Sequence, residues 1–162
     1  MAEVRITPKG QVTTRIGTQD IGSGSRTVTL LVTSMAFGYL PLERIEVKIG
    51  SSDLPPSGAS GGSSTTGMVN KEVREAVGRA SRGLFQACAG KLGAGAEQLE
   101  FRSGGRVGVQ GGGKDLSWEE ATALLKEDSV GFYELPLEAG SIWYVVEEDG
   151  NVRPGGKDKY TA

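Results

Sequence analysis

The stretch "RTVTLLVTSMAFGYL", Arg26 to Leu40, decides how this chain folds. Its valines and threonines favour a strand. Yet Val28, Leu31, Val32, Met35, Ala36 and Tyr39 recur at i, i+3, i+4 and i+7, which traces one face of a helix. At 15 residues the run is also longer than a typical strand. Length and period together predict a helix that begins near Ser23–Ser25 and ends before Pro41.

Outward from this helix the pattern alternates. Val4 and Ile6, then "TPKGQ", then Val12, Thr14 and Ile16 predict a β-hairpin on its N-terminal side. Ile45, Val47 and Ile49 predict a strand after it. Val73, Val77, Ala80, Leu84, Cys88 and Leu92 fall three or four apart, which predicts an amphipathic helix from near Gly67–Asn70 to Gly93. Leu99 and Phe101, "SGG", then Val107 and Val109 read as a second hairpin. "LSWEEA" is a capping box with Ser117 at the N-cap and Glu120 at N3, with Leu116 placed to staple Ala121, so a short helix through Leu125 is expected. "SIWYVVEED" reads as one more strand, and "GNVRPGGKDKYTA" as a turn and a frayed tail. Helices and strands are mixed without strict βαβ alternation, so the expected fold class is α+β, a two-layer mixed sheet with helices. A single domain over 1–162 is expected, with its core at about 3–147 and the tail at about 148–162.

Composition narrows the functions. Glycine is abundant, 26 of 162 residues, so there is much loop or the backbone approaches something closely. Net charge is −2 and no basic run stands out, which disfavours a nucleic-acid surface. No segment reaches membrane-spanning length, and "MAEVRITPKG" is not a signal peptide, so no membrane contact and a cytoplasmic location are expected. The chain has one cysteine and no histidine, so an internal disulfide, a His-based triad and a zinc site are not expected. Cys88 sits on an apolar helix face and reads as a small core residue. Glu147, Glu148 and Asp149 read as a solvated strand end. No catalytic residue and no metal ligand is identified.

Two glycine-rich turns each follow a strand and open a helix. The first is Gly17-Thr18-Gln19-Asp20-Ile21-Gly22-Ser23-Gly24; the second is "PPSGASGGSSTTG", Pro55 to Gly67. Helix N-termini present free N–H donors and the positive end of a dipole, so each turn can hold an anion. The first is alternatively a plain turn capped by Ser23 or Ser25; the second is alternatively a flexible linker. If both helix starts point to one place, they make a double anion clamp. A third run, Gly108 to Lys114, begins like a P-loop, but Asp115 stands where a Mg²⁺-binding Ser or Thr is needed, so it reads as a hairpin loop.

Taken together, the two turns resemble the molybdenum-cofactor-binding part of the xanthine dehydrogenase/aldehyde oxidase family. That family carries G-x-x-D/E-I/M-G-x-G before a helix, matched by Gly17 to Gly24. Downstream it carries an acidic residue leading into proline, then G-S/T-x-x-S-x-T/S, matched by Asp53 to Pro56 and by Ser60-Gly61-Gly62-Ser63-Ser64-Thr65. The resemblance is strong over about Val4 to Ala80 and fades after Phe132. It implies molybdopterin, in a cytosine dinucleotide form in many bacterial members, at a molybdenum ion that hydroxylates aldehydes or N-heterocycles. It implies that Gly22, Ser23 and Gly24 lie by the pterin–molybdenum end, and that Ser60, Gly61, Gly62, Ser63 and Thr65 hold the phosphate. As partners it implies the remainder of a large subunit and the FAD and iron–sulfur subunits or domains.

Two departures matter. Several members carry Gln where this chain has Ser23. The family's catalytic Glu, in a G-x-G-E setting, has no counterpart here. The chain is therefore expected to be a piece of a larger oxidoreductase that is inactive alone and holds no cofactor alone. The alternatives are a scaffold domain that keeps the fold without the cofactor, and an unrelated nucleotide-phosphate binder.

Overall fold

The first hairpin forms as the alternation requires. In the computed structural model, which describes residues 1–58 and 60–133 and the backbone of two later strands, β1 (Ala2–Ile6) pairs antiparallel with β2 (Val12–Ile16). Ala2, Val4, Ile6, Val12, Thr14 and Ile16 face the core, and the intervening residues face out. From β2 the chain runs through the first glycine-rich turn into α1 (Ser25–Ala36), then into β3 (Ile45–Ile49), which lies parallel to β2. The second turn leads to α2 (Thr65–Leu92), a 28-residue helix that ends at Gly93 in the left-handed conformation. Glycine suits that cap because it lacks the Cβ that resists positive φ.

The hairpin β4 (Leu99–Arg102) and β5 (Arg106–Val109) continues into β6 (Asp115–Leu116), a three-stranded sheet. The capping box opens α3 (Trp118–Thr122) as its residues require. The Glu120 amide donates to Ser117 Oγ at 3.2 Å, and the Ser117 amide donates to Glu120 Oε2 at 2.8 Å. The helix stops at Thr122 rather than Leu125. Leu124 and Leu125 instead donate three residues back, to Ala121 and Thr122, as tight turns.

A strand absent from the sequence pattern closes the main sheet. β7 (Ser129–Tyr133) lies antiparallel to β1, so the order is β3-β2-β1-β7 with both parallel and antiparallel neighbours. With α1 and α2 packed on the sheet, the two-layer α+β architecture is the one expected. The alternation of β7 is inverted, because Ser129, Gly131 and Tyr133 point inward while Val130 and Phe132 are exposed. The reason is α2. A methyl on Gly131 would collide with the Ala76 carbonyl and the Ala80 backbone, so the helix rests directly on the strand. Ser129 Oγ adds a 2.7 Å hydrogen bond to the Ala80 carbonyl.

α1 buries a different face from the one its apolar residues mark. Leu31, Met35 and Tyr39 are 46%, 48% and 66% exposed, while Ser25, Thr29, Thr33 and Ser34 are buried. Val28, Val32 and Ala36 pack only partly against the core. Hydroxyls make the polar face fit. Thr29 donates to the Ser25 carbonyl and Thr33 to the Thr29 carbonyl, each at 2.8 Å. α1 also ends at Ala36, short of Pro41, because Gly38 and Tyr39 turn left-handed and Leu40 bonds back to Ser34.

One core runs through both sheets. Val73, Val77, Ala80, Leu84, Cys88 and Leu92, the predicted stripe of α2, are all in it. Phe37 stands edge-on to Phe101 and Trp118 at 5.2 and 5.4 Å, joining the end of α1 to the smaller sheet. Trp118 Nε1 donates to the Gly10 carbonyl at 2.8 Å, tying α3 to the first hairpin turn.

The expected strand near "SIWYVVEED" is β8 (Trp143–Val146). The reading of a turn and frayed tail from Gly150 is corrected for Val152–Gly155. These residues form β9, antiparallel to β8. Pro154 has no N–H for a ladder, which suits only an edge or a short strand, so its weak strand signal is understandable. Glu147, Glu148, Asp149 and the rest of that segment lie outside the described residues. Among the described residues no helix is long and apolar enough to cross a membrane.

Candidate functional site

The two glycine-rich turns meet. The Gly17 amide donates to the Pro55 carbonyl at 2.7 Å, and Ser60 Oγ donates to the Gln19 carbonyl at 3.4 Å. This follows from topology, because β2 and β3 are parallel neighbours and the turns leave their same ends. The start of the second turn is also fastened to α2. The Met1 ammonium donates to the Pro56 carbonyl at 2.8 Å and pairs at 3.1 Å with Glu72, which is buried.

The helix start at the first turn already receives an acceptor from within. Gly22 and Gly24 amides donate to Asp20 Oδ1 at 3.2 and 3.0 Å, and the Arg26 amide donates to Oδ2 at 3.2 Å. The Arg26 amide above all, then those of Gly24, Gly22 and Ser25, hold the Asp20 carboxyl below its ordinary pKa. Ser23 and Ser25 do not cap the helix. Their hydroxyls bond each other at 3.0 Å. Gly22 and Ser23 are exposed and Gly24 half-buried. The expectation of a double clamp built from free donors is therefore corrected at α1. The chain's own carboxylate takes those donors, a signal that could have been read in Asp20 lying four residues before Gly24.

The second turn differs. α2 has no side-chain cap and no acidic residue in its first turn. Among the described residues, the amides of Thr65, Thr66 and Gly67 have no acceptor. Gly61, Gly62 and Ser63 are exposed, Ser60 is half-buried, and Thr65 is buried. Ser60 spends its proton on Gln19 and Ser64 on the Gly61 carbonyl at 2.8 Å, while the Ser63 and Thr66 hydroxyls have no partner among the described residues. Ser63 adopts φ 58, a left-handed conformation that costs a non-glycine residue roughly 1–2 kcal/mol. The sequence signalled the loop but not this strain.

Within the first turn, the Thr18 hydroxyl is fully buried and has no partner among the described residues. Asp53 forms a short hydrogen bond with Ser51 and is held below its ordinary pKa by it first of all. The run from Gly108 to Lys114 ends β5 and links it to β6 through 110–114, as the hairpin reading required, and Asp115 pairs with Arg106 at 2.7 and 3.0 Å. A cleft of about 290 Å³ between α1, α2 and β4 lies away from the turns, lined by Arg74, Val77, Phe85, Glu100 and Phe101 among others.

Comparison with known proteins identifies the family of the chain as a whole. The profile of a family described as "Molybdopterin cofactor-binding domain" matches residues 1–161. The aldehyde oxidoreductase molybdenum-binding subunit PaoC of Escherichia coli O157:H7 is 32% identical over 145 residues, covering 85% of this chain and 18% of that protein. Its counterpart in Escherichia coli strain K12 is 32% identical over 147 residues, with the same coverage. Among solved structures, reconstituted CO dehydrogenase from Oligotropha carboxidovorans superposes with a TM-score of 0.67 at 23% identity, over 83% of this chain and 18% of that one. Quinoline 2-oxidoreductase from Pseudomonas putida 86 gives 0.62 at 20% identity, over 82% and 18%. These two share the fold. The chain spans under a fifth of the length of the curated relatives it matches.

Proposed function

This chain belongs to the molybdopterin cofactor-binding domain family, and from that premise we propose that its second glycine-rich turn holds the anionic end of the cofactor. One observation carries the reading. The N-terminus of α2 presents unpaired amides and the Ser63 hydroxyl in a turn joined to the first turn through Ser60 and Gln19. Phosphate needs this kind of donor set, N–H groups and hydroxyls with no carboxylate among them. The Thr18 hydroxyl of the first turn, buried and unpartnered among the described residues, adds a polar atom that an added group could satisfy.

In this reading Ser63, Gly61, Gly62 and the first amides of α2 bind phosphate. Ser60 fixes the spacing of the turns, and Thr65 supports the helix start. Gly22, Ser23 and Gly24 shape the wall along which the pterin lies. When bound, the cofactor supplies a redox-active molybdenum ion. The residues of this chain bind and orient it. The parent protein is then a molybdenum hydroxylase acting on an aldehyde or N-heterocycle, cytoplasmic, with the cofactor in a cytosine dinucleotide form and with FAD and iron–sulfur subunits or domains beside it.

The test is the metal and nucleotide content of the parent protein. Molybdenum together with a cytosine nucleotide released by acid is expected, and Ser63→Ala is expected to lower both. Unchanged content in Ser63→Ala would overturn the phosphate assignment. A properly matured parent without molybdenum would favour the scaffold role. For the chain itself, inorganic phosphate should shift the amides of Gly62 to Gly67 with millimolar affinity, about 4 kcal/mol.

A further inference from the structure

The two turns have different tasks, and Asp20 sets the difference. Helix α1 has no side chain at its cap position, which is Gly24. Amides in its first turn and just before it nevertheless converge on the two oxygens of one carboxylate, with Gly22 and Gly24 on one and Arg26 on the other. Cap-type residues are at hand in Ser23 and Ser25, yet they bond each other. A carboxylate four residues upstream thus takes the place that an anionic ligand takes at other helix starts. α2 has no such internal anion.

We propose that Asp20 is a built-in occupant of the α1 start, a positioning residue whose carboxylate shapes the first turn and keeps phosphate out of it. The second half of that statement rests on the cofactor reading above; the first does not. A ligand phosphate at α1 would find the Gly22, Gly24 and Arg26 amides taken and a fixed negative charge beside them. Phosphate is thereby directed to the α2 turn, and the first turn reaches the cofactor preassembled. The Gln19 carbonyl, next to Asp20, transmits this arrangement to Ser60.

The experiment uses the 162-residue chain and its variants Asp20→Ala and Asp20→Asn, at constant ionic strength in sodium chloride, formate or phosphate. In chloride, Asp20→Ala should melt about 2–6 °C lower, the range for a lost helix cap in a chain of this length. Formate, a small carboxylate, should restore most of that loss in Asp20→Ala, saturably, and shift its Gly22, Gly24 and Arg26 amide resonances. It should do neither in the unmodified chain. Equal stability of Asp20→Ala in chloride, or formate acting no better than chloride, overturns the proposal. If Asp20→Ala does not fold, Asp20→Asn decides. Phosphate should then shift amides in both turns, and shifts confined to Gly62–Gly67 overturn the proposal. Phosphate that leaves Gly62–Gly67 unmoved in the unmodified chain counts against the cofactor reading alone, because the formate arm does not involve that turn.

Discussion

The hydroxyl of Thr14 on β2 lies 3.0 Å from that of Thr33 on α1, fully buried between sheet and helix. Thr33 has one proton and gives it to the Thr29 carbonyl, so Thr14 is the donor of this pair. Thr33→Val keeps the shape and removes the acceptor, leaving a buried hydroxyl unmade. It should cost about 1–3 kcal/mol in urea unfolding. Leu31→Ser and Met35→Ser, on the exposed stripe, should change stability by no more than about 0.5 kcal/mol. Larger losses from the serine variants would mean that the apolar stripe is the buried one after all.

Gly131→Ala tests the contact between α2 and β7. The added methyl has no room against the Ala76 carbonyl and the Ala80 backbone. Overpacking against backbone that cannot rotate away typically costs about 1–3 kcal/mol and sometimes more. Loss of at least that much, or of soluble chain, is expected from chemical denaturation.

Acid should weaken the fold in a defined window. The folded pKa of Asp20 lies below its ordinary 3.8, chiefly through the Arg26 amide. Asp53, through Ser51, and Asp115, through Arg106, shift the same way. A depressed carboxylate contributes stability above its unfolded pKa and loses it as pH falls through the folded value. Urea midpoints should therefore be level near neutrality and fall from about pH 4 downward. Asp20→Asn should start lower and fall less steeply, and an unchanged acid limb would remove Asp20 from this account.

Ser63→Gly should separate stability from binding. Glycine accepts φ 58 without strain, which is set against its greater freedom in the unfolded chain. A gain of up to about 1 kcal/mol is expected in thermal unfolding. Phosphate-induced amide shifts should weaken, because the hydroxyl is gone.

Cys88 should be silent in the native state. Burial pushes its thiol up to about 11, against the opposing charge of Lys91. At pH 8 a thiol-specific reagent should label it only at the rate of unfolding. Fast labelling of the folded chain would contradict the packing of α2.

Much of this was legible in the residues. The first hairpin, the core stripe of α2, the Gly93 stop and the Ser117–Glu120 box depend on interactions within a few residues, so their patterns state them directly. β7 was not legible because its inward positions are Ser129 and Gly131, small for the sake of a helix far away in sequence. The placement of the two glycine-rich turns side by side needed the parallel pairing of β2 with β3, and the use of donors at α1 needed Asp20 to fold back on them.

What the sequence determined by itself was the first hairpin, α1, β3, α2, the second hairpin and the start of α3, together with the second turn as a place rich in hydroxyls and glycines. The tertiary structure decided which face of α1 is buried. A helix packed on a sheet and beside a second helix takes small side chains on that face, and Thr14 supplies the partner that lets hydroxyls go inside. It likewise decided that one helix start receives Asp20 and the other stays open. Donors become available or spent only when the chain brings an acceptor to them, and that is a property of three dimensions.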